Sequence, residues 1–342
     1  AYTTWCGPCK VMAKNVFPNE EVGEFYNQNF INVKLDMEKG EGLKFRRQYP
    51  VSAFPTLYYI DYTGKVVQKV VGGQSVEGFL GQGKLALRKI DRSGQYAEAY
   101  EDGDRDPELV YNYVRSLNQA GKSSLSVANE YIDKQEDLTT DFNLKFILEA
   151  AVEADSKIFS MLIKNRDRIE ELTSKEAVNE KILEACRATV KKAMEYRMAM
   201  LLDEAISKMQ DHYPKRADRF ELESQMDFHA AMGEADDFLK ACKTFAKKEA
   251  RKDPEALHEL VLKIVKSFND NDEAMAEAEE YAEEAAKQGQ RHNYYLTYAA
   301  VLLQNGKPEE AKEAANKSRE LAENQDPGSV RRVEMFLRQI SG

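Results

Sequence analysis

An α/β domain over residues 1–90, followed by an all-α array over residues 91–342, is what this sequence predicts, and three observations carry it. Residues 1–90 interleave helical stripes with strand-like alternation, the mark of a layered domain. From Asp91 onward the strand signals stop, and apolar residues recur at helical spacing. At the start, Trp5-Cys6-Gly7-Pro8-Cys9-Lys10 places two cysteines where a strand turns into a helix.

The elements follow in order. Ala1–Trp5 reads as the end of a strand, so the rest of that strand is expected upstream of Ala1, and the domain reads as truncated. A sheet lacking its middle strand leaves backbone groups unpaired, so this stretch alone is expected to be unstable or poorly active. Val11, Met12, Val16 and Phe17 form an apolar stripe that ends at Pro18, which cannot continue a helix. Val22, Phe25, Tyr26 and Phe30 form a second stripe. Ile31-Asn32-Val33-Lys34-Leu35-Asp36-Met37 alternates with the period of a strand. Leu57–Ile60 and Lys65–Val71 flank Asp61-Tyr62-Thr63-Gly64, a hairpin with a glycine-containing turn. A helix from about Ser75 to Ile90 closes the domain.

Beyond it, Asp106-Pro107-Glu108 and Asp253-Pro254-Glu255 are helix starts: a capping Asp, proline at the first helical position, and an acid in the first turn. Gly121, Gly233 and Gly306 stand between helical stretches as stops. Leu257, Leu260, Val261, Ile264, Val265 and Phe268 show the stripe most clearly. The spacing predicts roughly ten to twelve helices joined by short turns. In Tyr295–Ala311, small residues at Ala299 and Ala311 let two helices approach across a turn at Gly306. This resembles a tetratricopeptide (TPR) repeat of about 34 residues, with irregular spacing along the chain; a non-repetitive helical bundle is the alternative.

Composition narrows the function classes. With 59 acidic against 49 basic residues the net charge is −10, and nucleic acid is excluded as a partner because phosphate binding needs a basic footprint. Arg46-Arg47 and Lys247-Lys248 read as solvated helix faces. No run of about 18 apolar residues is present, so no membrane span is expected. Cys186 and Cys242 are solitary in helical sequence and read as buried small hydrophobes.

The chemistry lies in Cys6 and Cys9. A free thiol, with pKa about 8.5, is mostly protonated at neutral pH, while the thiolate is the nucleophile of disulfide exchange. At a helix start, unpaired N–H groups and the helix dipole favour the charged form. Cys6 is therefore the expected attacker, and Cys9, one turn on and more buried, the expected resolver. Gly7 lets a substrate backbone approach and Pro8 stiffens the pair. Half of a zinc site is the competing reading of Cys-x-x-Cys, but it needs a second ligand pair at short spacing, and the chain has none.

Trp5-Cys6-Gly7-Pro8-Cys9-Lys10 resembles the active-site motif of the thioredoxin family, and Phe54-Pro55-Thr56 resembles that family's cis-proline segment, followed by the hairpin and Gly72-Gly73 in the family's order. The resemblance spans residues 1 to about 88 and implies an α/β thioredoxin-like domain. It implies that Pro55 is cis beside the sulfurs, that the Phe54 backbone pairs with an extended substrate, and that Trp5 forms an apolar lip. It implies that Lys34 is an auxiliary residue near an active-site carboxylate. That acid falls six residues before the first cysteine in the family, outside this chain. With the helical region, the chain resembles bacterial envelope proteins that join such a domain to TPR-like repeats. A periplasmic or envelope location is expected on this resemblance, with the cytoplasm as the alternative.

The expected function is thus thiol-disulfide exchange, in the direction of protein-disulfide reduction, with no cofactor or metal. The partners are protein disulfides, a dithiol electron donor, and a protein held by the helical array. The alternative is a non-catalytic interaction scaffold whose thioredoxin-like domain clamps peptides. Three features are set aside. Gly78-Phe79-Leu80-Gly81-Gln82-Gly83-Lys84 has phosphate-loop spacing, but Leu85 stands where a hydroxyl is needed, and the segment lies within a predicted helix. His212, His229, His258 and His292 show no metal-binding spacing, and the acidic run Glu277–Glu284 reads as a solvated face around Ala278, Tyr281 and Ala282.

Overall fold

A computed structural model describes residues 1–90, 92–325 and 327–341; Asp91 and Gly342, the limits of the predicted array, lie outside the described residues. The first helix, α1 (Gly7–Asn15), carries Pro8 in its opening turn, where a missing N–H is harmless. α2 (Glu20–Asn29) starts where Asn19 Oδ1 accepts the Val22 N–H at 3.2 Å. α3 (Gly40–Gln48) follows, and then β1 (Thr56–Ile60) and β2 (Val66–Val71) pair antiparallel, with Thr56 opposite Val71. Asp61 Oδ1 fastens the intervening turn by accepting from the backbone N–H groups of Thr63 and Lys65. α4 (Val76–Lys89) is capped by Ser75 Oγ.

The predicted strand at Ile31–Met37 does not form as a ladder. Only Leu35–Met37 is paired: the Tyr2 N–H donates to the Leu35 carbonyl at 3.0 Å and the Met37 N–H to the Tyr2 carbonyl at 2.9 Å, an isolated parallel bridge. On its other side the Ala1–Tyr2 segment meets β1, where the Thr56 N–H donates to the Ala1 carbonyl. A strand is defined by its neighbours, and residues 31–34 have no neighbouring strand among the described residues; Ile31 and Val33 are 96% and 69% exposed.

One apolar cluster holds this part together, built on Met12, Val16, Val22, Tyr26, Tyr59 and Phe79. The Tyr26 ring stacks on Phe79 at 4.0 Å. Its hydroxyl lies 2.6 Å from both the Phe79 carbonyl and the Tyr59 hydroxyl, so the buried oxygens are satisfied.

Fifteen α-helices follow among the described residues, α5 (Gly94–Glu101) to α19 (Val330–Ser341), more than the ten to twelve predicted. The surplus comes from short helices such as α9 (Lys157–Lys164) and α10 (Arg166–Leu172). Asn165 separates these two with no glycine or proline to mark the break. Asp106 and Asp253 do cap α6 (Pro107–Gln119) and α15 (Pro254–Phe268), each accepting two backbone N–H groups. Gly233 and Gly306 are left-handed, and the residue after each donates back across the turn, Glu234 N–H to the His229 carbonyl and Lys307 N–H to the Leu302 carbonyl. A side chain with a Cβ is strained there.

By internal contacts the chain forms two compact units, Ala1–Ala150 and the remainder from Ala151. In the second, consecutive helices pack on one another, among them α11 (Lys175–Tyr196) on α12 (Ala199–His212), α13 (Pro214–Met232) on α14 (Ala235–Lys248), α15 on α16 (Asp272–Gly289), and α17 (His292–Gln304) on α18 (Pro308–Gln325). Their lengths differ, from 13 residues in α17 to 22 in α11. Ala299 and Ala311 are fully buried at the α17–α18 contact, as small residues at a close helix pair should be. Phe238, Cys242, Leu260, Val261 and Ile264 belong to one apolar cluster of the unit.

Candidate functional site

Cys6 is the N-cap of α1, in extended geometry with φ −71° and ψ 108°, and its Sγ accepts the Cys9 backbone N–H at 3.1 Å. The two sulfurs are joined as a disulfide, with Cα atoms 5.3 Å apart. The expectation that Cys9 is the more buried of the two is corrected: Cys6 is 3% exposed and Cys9 6%. The bond to the Cys9 amide turns the Cys6 sulfur inward over the first turn of the helix. That amide is one of the donors a helix start leaves without an intrahelical partner, so a thiolate formed at Cys6 meets a ready donor and the positive end of the helix.

Around the sulfurs the sequence-predicted residues take these positions. Gly7 is exposed, with open space where a Cβ would stand, and Pro8 is exposed with its Cβ 3.7 Å from the position of a Cβ on Gly73. The Phe54–Pro55 bond is cis, the isomer the resemblance implied, and Pro55 is buried. Its carbonyl accepts the Gly72 N–H at 2.8 Å, which ties this loop to the end of β2. Trp5 is 64% exposed and meets Phe54 edge to face, with ring centroids 5.7 Å apart. The exposed Trp5 ring and the half-buried Phe54 ring form an apolar edge beside Cys6. Lys34 stands with its ammonium 4.6 Å from the centroid of the Tyr2 ring, a cation–π arrangement.

Glu38 escaped the sequence reading. Its Oε1 accepts the Trp5 indole N–H at 2.9 Å, which fixes the orientation of the exposed ring. Nothing in the local pattern signals a pairing across 33 positions. Gly42 was also passed over: a Cβ there would run into the Asp36 carbonyl, so only glycine lets α3 pass so close to the Leu35–Met37 segment.

The features set aside in the sequence have structural roles. The phosphate-loop-like segment lies wholly inside α4, so its backbone donors are engaged in the helix. A Cβ on Gly83 would stand 2.8 Å from the Tyr26 hydroxyl; this glycine serves helix packing. Cys186 and Cys242 are fully buried free thiols, and burial pushes both up to about 12. Ala278, Tyr281 and Ala282 are buried beneath the acidic run. No helix among the described residues is long and apolar enough to cross a membrane.

Residues 1–85 match the family model described as a thioredoxin-like domain. Over 81 residues the chain is 33% identical to a thioredoxin-like protein of Synechocystis, covering 24% of this chain and 71% of that one. It is 26% identical over 110 residues to Thioredoxin-T of Drosophila melanogaster, covering 32% of this chain and 59% of the relative. It is 39% identical over 59 residues to the chloroplastic thioredoxin-like protein CITRX of Solanum tuberosum, covering 17% and 31%. The chain thus spans less than two thirds of the last two relatives.

Proposed function

The chain belongs to the thioredoxin-like family, and from that premise we propose that it is a thiol-disulfide oxidoreductase that reduces protein disulfides through Cys6 and Cys9. The observation that carries this reading is the placement of Cys6 as the N-cap of α1, bonded to Cys9 and receiving its amide hydrogen. In the reduced form the Cys6 thiolate attacks one sulfur of a substrate disulfide. A mixed disulfide forms, and the other substrate sulfur leaves as a thiolate that takes up a proton. Cys9, deprotonated, then attacks the Cys6 sulfur; the Cys6–Cys9 bond closes and the second substrate thiol is released. Two electrons pass to the substrate, and an external dithiol must return them. The Trp5–Phe54 edge supplies an apolar contact for the substrate chain, and Gly7 leaves room for its backbone.

Gly7-Pro8 between the cysteines resembles the reducing members, which poise near about −270 mV, and this supports the reductive direction. For the helical region we propose a TPR-like array that holds a protein partner, since stacked helix pairs present extended binding surfaces. The bacterial envelope is the proposed location, on resemblance, and fractionation of the native host tests it.

The test uses the full chain with Cys9→Ser, which keeps the attacker and removes the resolver. It should accumulate mixed disulfides with client proteins, released by reductant, while Cys6→Ser accumulates none and loses insulin-disulfide reduction to the uncatalysed background. Wild-type reduction rates in Cys6→Ser would overturn the proposal and favour the scaffold reading.

A further inference from the structure

Far along the sequence from the dithiol, at the corner between α13 and α14, an imidazole and two carboxylates converge. One ligand atom each from His229, Glu234 and Asp237 lies within 4.8 Å of the other two, and the His229 Nδ1 is 2.7 Å from Glu234 Oε2. The turn fixes the geometry: Gly233 is left-handed, and the Glu234 N–H donates to the His229 carbonyl at 2.9 Å. This holds the end of one helix against the start of the next.

Two further observations set this trio apart from ordinary surface charge. Glu234 occupies the N-cap of α14 yet makes no side-chain cap bond; its carboxylate faces the imidazole instead. Asp237 has no hydrogen bond or ion pair among the described residues, and with His229 it borders a cavity of about 410 Å³ between α13 and α14. Asp218 and Glu221 line the same cavity together with Lys240 and Lys248, so these added charges balance, and the cavity offers space for water at open coordination positions.

We propose that His229, Glu234 and Asp237 bind a divalent transition-metal ion of the zinc class. One nitrogen and two carboxylate oxygens form a borderline donor set that suits zinc and its first-row neighbours. Bonds of about 2.0–2.2 Å place adjacent ligands roughly 3–3.5 Å apart, and small rotations of the two exposed carboxylates bring the trio to that spacing. On binding, the metal takes the Nδ1 lone pair, the imidazole proton resides on Nε2, and the two carboxylate charges are balanced by the ion. Water completes the shell. The sequence pattern hid this site because its ligands fall at i, i+5 and i+8 across a helix break, a spacing that no single-helix motif contains.

The probe is Zn²⁺ alone, titrated calorimetrically into the full chain with the Cys6–Cys9 disulfide kept closed, so that the dithiol cannot chelate it. One saturable equivalent is expected. His229→Ala and Asp237→Asn should each weaken it at least about tenfold, while His258→Ala leaves it unchanged. Glu234→Gln serves as a second variant, and each protein's melting curve without metal shows that the fold is retained. The absence of saturable uptake below about 1 mM, or uptake by His229→Ala equal to wild type, overturns the proposal.

Discussion

Cys6 and Cys9 stand at the first turn of α1, whereas Cys186 and Cys242 lie in the middle of α11 and α14. All four are buried, so burial alone does not separate them. Position along the helix does. At a helix start a backbone N–H points at the Cys6 sulfur without an intrahelical partner. In a helix interior every N–H is already spent on the preceding turn, and burial pushes the thiols of Cys186 and Cys242 up to about 12, outweighing the opposing charges of Lys208 and Lys263. The same atom accepts an amide hydrogen at a helix start in one region and is held as a neutral thiol by burial in the other.

The largest effect that sharpens this contrast comes from giving the helix interior a polar oxygen. Cys242→Ser buries a hydroxyl in the apolar cluster of Phe238, Leu260 and Val261. It should cost about 1–3 kcal/mol of unfolding free energy while leaving disulfide reduction intact. Denaturant unfolding and an insulin assay on the same sample check both parts, and a matching fall in activity would break the comparison.

A smaller effect lies one turn beyond Cys186, where the fold does bury oxygens by giving them partners. Thr189 Oγ1 donates to Asp155 at 3.0 Å, and Lys192 Nζ donates to Asp155 and Glu153 at 2.7 Å each. Burial pushes the Asp155 carboxyl up, but the bonds from Lys192 and Thr189 outweigh it, and the net direction is down from 3.8. The folded value thus lies below the unfolded one. The stabilisation is complete above the ordinary carboxylate value and is lost as pH falls through the lowered one. Between neutrality and about pH 5 Asp155 should therefore cause no loss of stability. Below about pH 4 wild type should lose stability more steeply than Asp155→Asn, as read by melting temperature against pH.

What the sequence disclosed, and what it hid, divides along the same line between local and distant causes. The cysteine motif, the Asp106 and Asp253 caps and the Gly64 turn are legible because each is decided within a few residues. Ile31–Met37 has a strand's alternation, but pairing is not local, and only Leu35–Met37 finds a partner. The bond from Trp5 to Glu38, and the packing that requires Gly83, join residues brought together only by the fold. Asn165 ends one helix and begins another without a breaker residue, so the helix count came out low.

The most direct measurement counts thiols. The intact protein is reduced, then exposed in its native state at about pH 8 to a small alkylating agent, near the ordinary thiol value, and the labelled positions are read by peptide mass spectrometry. Labels at Cys6 and Cys9, with Cys6 first, and none at Cys186 or Cys242 until denaturant is added, are predicted. Labelling of Cys186 and Cys242 at the rate of Cys6, or a native protein in which Cys6 never reacts, would contradict the account.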